Sequence, residues 1–139
     1  MNLLGTWTGA YKFDKHPEPG RDNKETWFTI IITEADGNNF SGTVRDDLET
    51  GGTKGEGTVE GKCDNSSISF IKQMPVRTMV SKNGDRIEAP VKHKPVYYTG
   101  SRDGNGFRGE WKIRAGISIN KFFFSLGFGT KGTWKMIKK

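Results

Sequence analysis

Cysteine is almost missing from this chain: Cys63 stands alone, so no intrachain disulfide can form and nothing in cysteine usage argues for export. Histidine is nearly as scarce. His16 and His93 each sit beside proline and lysine in a loop-like stretch, and without a third partner they define no metal site and no acid–base pair. Apolar residues reach only 32%, and no run approaches the ~20 that a spanning helix needs. No apolar leader follows Met1, so the expectation is a cytoplasmic protein with no membrane partner. Charge of one sign is not concentrated either. The net +6 is spread through strands and turns apart from Lys135, Lys138 and Lys139, which describes a solvated surface and not a nucleic-acid footprint. Asp46, Asp47 and Glu49 form an acidic turn that lacks the glycine and terminal glutamate of a calcium loop. No nucleophile–base pair and no phosphate loop occurs, so no catalytic residue, metal or cofactor is read from the sequence.

Glycine, by contrast, is abundant at 19. Five of them belong to a phrase that occurs twice, Asp36-Gly37-Asn38-Asn39-Phe40-Ser41-Gly42 and Asp103-Gly104-Asn105-Gly106-Phe107-Arg108-Gly109. In each copy Asp-Gly-Asn supplies the positive-φ chemistry of a tight hairpin, and an aromatic opens the return strand. Around these turns the chain alternates with period two, predicting strands over 4–13, 25–35, 40–47, 57–64, 67–73, 96–102, 107–114 and 132–137. Residues 76–94 read two ways: Asn83-Gly84 is a hairpin signal that would add a pair of strands at 77–91, while Pro75, Pro90 and Pro95 limit how far those strands can extend into a central sheet. Residues 15–24 are a loop. Residues 117–128 alternate as an extended segment more than as a helix, and would cover something apolar.

Successive antiparallel strands joined by short turns pack as two sheets or close into a barrel. In-strand glycines at Gly9, Gly42, Gly61, Gly100 and Gly109 favour closure, because a barrel wall must bend and admit close neighbours. The fold class is therefore all-β, a single antiparallel up-and-down β-barrel of about eight strands forming one domain over 1–139. Gly5-Thr6-Trp7 and the run Gly37 to Thr43 resemble the calycin superfamily of lipocalins, avidins and fatty-acid-binding proteins. The resemblance implies that Trp7 plugs the closed end of a ligand-holding barrel. It does not extend to those families' ligands. Where avidins place biotin-contacting polar residues this chain has Gly9, Phe13, Val44 and Asp46, and its last strand reads Trp134-Lys135-Met136 in place of an Arg-x-Tyr carboxylate clamp. Leaving a ureido ring's hydrogen bonds unmade would remove most of the affinity for biotin.

The expected function is binding of a small apolar or aromatic molecule, with Tyr11, Phe70, Lys72, Tyr98 and Trp111 as ligand-binding residues. The tyrosines are the better ligand contacts, since a buried hydroxyl wants a partner. Lys72 shares a face with Ile68 and Phe70, which leaves it either an inward anion anchor or a strand-end lysine reaching to water. Aromatics that simply fill a solid barrel are the competing reading, with self-association as the function. The strand at 25–35 is apolar on both faces, so a homodimer would use Phe28, Ile30 and Ile32, or Trp27 and Ile31, together with Phe122 to Phe128. A third reading, an isomerase or cyclase working inside the barrel, requires a perturbed titratable group there, for which Lys72 is the candidate.

Overall fold

The computed structural model describes residues 2–15, 20, 23–75, 94–114 and 130–139, together with the backbone of 77–80 and 86–89. The histidine loops at His16 and His93, and the 117–128 segment, lie outside the described residues. Ten strands follow in order: β1 (Gly5–Phe13), β2 (Thr26–Asp36), β3 (Asn39–Asp46), β4 (Glu56–Cys63), β5 (Ser67–Gln73), β6 (Arg77–Val80), β7 (Arg86–Ala89), β8 (Val96–Asp103), β9 (Gly106–Ile113) and β10 (Thr130–Lys138). Eight of them close into an antiparallel barrel in the order β1-β10-β9-β8-β5-β4-β3-β2, while β6 and β7 form a separate hairpin. The all-β barrel is thus as the alternation predicts, and β6 and β7 pair as a hairpin within 77–91, with Asn83-Gly84 itself outside the described residues. Strand ends differ from the sequence reading by a residue or two, where fraying and turn residues share one alternation.

The two ends of the barrel are built differently. At one end β2–β3 and β8–β9 are joined by two-residue loops, Gly37-Asn38 and Gly104-Asn105, closed by the pairs Asp36↔Asn39 and Asp103↔Gly106. Only the glycine takes a left-handed φ in each, 62° and 58°, as a type II′ turn requires at its first central residue. Trp7 lies near this end, its ring 5.8 Å from Phe107 and its indole N–H donated to the Leu3 carbonyl at 2.8 Å. The long connections, residues 14–25, 47–55, 74–95 and 114–129, all leave from the opposite end. Loops of that length concentrate where function sits on a rigid barrel.

Period-two alternation turns one residue in two inward, and the interior is dominated by rings. Phe70 stacks on Tyr98 with centroids 4.6 Å apart, and Trp134 meets both edge-on at 5.4 Å. Nearer the loop-bearing end Tyr11, Phe28, Trp111 and Phe13 continue the cluster. Glycine makes room for these rings. Gly132 is paired across the wall with Trp111, and a Cβ there would strike the Lys12 carbonyl and the Trp111 indole nitrogen. That nitrogen donates to the carbonyls of Lys12 and Thr133 at 3.0 and 3.2 Å, so the large ring lies against the wall with its one polar atom satisfied.

Candidate functional site

The same alternation carries two charged side chains into the barrel. On β5 the inward positions run Ile68, Phe70, Lys72, and on β3 they run Phe40, Val44, Asp46. Lys72 and Asp46 meet at the loop-bearing end, Nζ 2.6 Å from Oδ1, with side chains 5% and 1% exposed. Strand β4 lies between them, pairing Val59 with Lys72 and Gly57 with Val44, the inward neighbour of Asp46 on β3. The other carboxylate oxygen accepts the Tyr11 hydroxyl at 3.3 Å and the Thr53 backbone N–H at 3.0 Å. Thr53 comes from the turn after β3. A Cβ on its neighbour Gly52 would collide with Asp46, so glycine lets that turn fold back onto the carboxylate.

The ammonium also faces two rings, 4.8 Å from the Tyr11 centroid and 5.7 Å from that of Phe28. Cation–π attraction of this kind strengthens once water is excluded. Tyr98 completes the cluster. It is 2% exposed, and burial, followed by the nearby Tyr11 and Asp46 charges, raises its phenol well above the ordinary value of 10.0. Its side chain borders a small recess, and none of the hydrogen bonds seen among the described residues involves its hydroxyl. A recess of about 30 Å³, room for one water, is lined by Tyr11, Asp46, Lys72, Tyr98 and Trp111 with half-buried Phe13 and Ile113 at its edge.

Of the residues that the sequence singles out, Tyr11, Lys72, Tyr98 and Trp111 come together at this recess. Phe70 lies deeper, among Phe40, Tyr98 and Trp134, and Trp7 is near the far end. The sequence reading left Lys72 between an inward anchor and a solvent-reaching lysine. It is inward, and the anion it holds is the protein's own Asp46. Asp46 itself was grouped with an acidic turn. The signal that finds it is parity, since an even-numbered run from Phe40 through Val44 ends on Asp46, facing the same interior as Lys72.

The two faces of β2 also separate. Phe28, Ile30 and Ile32 are in the core, while Trp27 and Ile31 are 43% and 45% exposed on the outer wall. Among the described residues no cluster of three metal-ligating side chains occurs, and no helix is long and apolar enough to cross a membrane. Fold and site together define a closed antiparallel β-barrel with a buried aromatic cluster and a buried ion pair at its loop-bearing end. No family model matches the chain, and neither a curated protein nor a solved structure matches it.

Proposed function

We propose that this protein is a calycin-type binder of a small apolar or aromatic molecule, which enters at the loop-bearing end and sets its polar end against Lys72, Asp46, Tyr11 and Tyr98. The observation that carries the reading is the buried ion pair. A barrel that only needed filling would be as stable or more so with apolar side chains at both positions, because desolvating two charges offsets most of their attraction. A charge pair joined by two tyrosines is instead a means of orienting a guest. The recess has room for only about one water, so the body of the ligand takes the place of Phe13, whose ring rests 4.8 Å from Trp111 at the edge of the recess. Native mass spectrometry of protein purified from its own cells tests this. A retained small molecule, released on denaturation and bound more readily by Phe13→Ala, is the expected result. Bare polypeptide mass, with no binding of aromatic probes by either form, would overturn it.

A second reading, self-association through the outer face of β2, is favoured by the exposed Trp27 and Ile31, next to which β1 offers only Thr6, Thr8 and Ala10. Light scattering at millimolar protein decides it: a dimer lost in Trp27→Lys supports this reading, and a monomer removes it.

A further inference from the structure

We propose that the recess beside Tyr98 takes a neutral oxygen acceptor, so that the ligand is an aromatic molecule ending in a carbonyl or comparable uncharged oxygen, not a carboxylate or phosphate. The inference rests on the ligand-binding reading above and narrows it to a chemical class.

Two observations carry it. The first is Tyr98, 2% exposed, held by the rings of Phe70 and Trp134 and lining the recess, with no hydrogen bond of its hydroxyl seen among the described residues. A hydroxyl on the lining of the recess can donate into it, and an acceptor seated there gives it a hydrogen bond in a water-poor site. The second is the balance of charge. Among the described residues Lys72 is the only cation lining the recess, and Asp46 neutralises it at 2.6 Å. An anionic guest would bring a second negative charge beside Asp46 with nothing to offset it in a water-poor site. A cationic guest would find both Asp46 oxygens engaged, by Lys72 on one side and by Tyr11 and the Thr53 N–H on the other. What is left is donor capacity, the Tyr98 O–H and the unshared protons of Lys72, which suits an uncharged oxygen. The ring of Trp111, which Phe13 meets edge-on, suits an aromatic body in place of Phe13.

Three naphthalenes of similar shape test the proposal on the full chain by calorimetry at neutral pH: acetylnaphthalene with a neutral acceptor, naphthoate with an anion, and ethylnaphthalene with neither. The ketone should bind about tenfold more tightly than the hydrocarbon, the worth of one buried hydrogen bond, and more tightly than the carboxylate by at least as much. Tyr98→Phe, which deletes a single oxygen, should abolish the ketone's advantage over the hydrocarbon. Tightest binding by naphthoate overturns the proposal and leaves the container standing. So does equal binding of ketone and hydrocarbon, or an advantage that survives in Tyr98→Phe. Failure of all three to bind overturns the ligand-binding reading, and this inference with it.

Discussion

Lys72 and Asp46 form an ion pair across the inside of the barrel, bridging β5 and β3 over the intervening strand β4. Each charge is sheltered from water by rings, so neither can be removed alone without stranding the other. Lys72→Met should destabilise the fold by about 3–5 kcal/mol, and Asp46→Leu by a similar amount. The double variant Lys72→Met/Asp46→Leu should recover most of that loss, because an apolar pair at these positions suits the surrounding core. Urea denaturation of the four proteins gives the cycle. Additive losses would mean that the two groups do not act as a pair.

Tyr98 makes stability fall at high pH. Its folded-state phenol is raised well above 10.0, so in the unfolded chain it loses its proton first. Its contribution is fully present below pH 10 and is lost as pH rises from there toward the folded value. Absorbance at the phenolate wavelength should show Tyr98 silent in the folded protein well beyond the ordinary tyrosine range, with its step arriving only on unfolding. In Tyr98→Phe that missing step disappears and the decline in stability above pH 10 becomes shallower. A phenol that titrates at its ordinary value in the folded state would contradict this burial.

The barrel was legible in the sequence because its signals are local. Period-two alternation and the Asp-Gly-Asn turns are written in neighbouring residues, and they place all eight barrel strands and the 77–91 hairpin. The site was legible only in part. Lys72 could be put on the inward face, but its partner Asp46 lies on a strand that is not its immediate neighbour, and which carboxylate it meets depends on barrel closure and register. The same holds for Tyr98. Its side can be read from alternation, but the recess beside it emerges only once every strand is in place.

Gly9 shows how tightly the wall is drawn. It is paired with Phe28 on one side and Met136 on the other, and an added Cβ would strike the Lys135 carbonyl, the Phe28 ring and Met136. Since one of those obstacles is backbone, the strands must part to admit even a methyl group. Gly9→Ala should therefore cost about 1–3 kcal/mol, although alanine is normally preferred to glycine within a strand. A thermal melt unchanged by this substitution would show that the wall has slack.

Asp64 governs the turn between β4 and β5, far from the ion pair. Its carboxylate accepts the backbone N–H groups of Ser66 and Ser67, both at 2.8 Å, and the hydroxyls of the same two serines. These bonds favour the ionised form and lower its pKa from 3.8 to about 2, although the group is fully exposed to water. Because the folded value is depressed, the stabilising effect is present above pH 3.8 and is lost as pH falls toward 2. Carboxyl-resolved NMR should find this aspartate still ionised below pH 3.8, with its proton taken up only near pH 2. Asp64→Asn, which keeps an acceptor oxygen but no charge, should flatten the stability profile across that same acid window. If the Asp64 resonance titrates near 3.8, the serine N–H groups do not hold it in solution, and the turn is maintained by its strands alone.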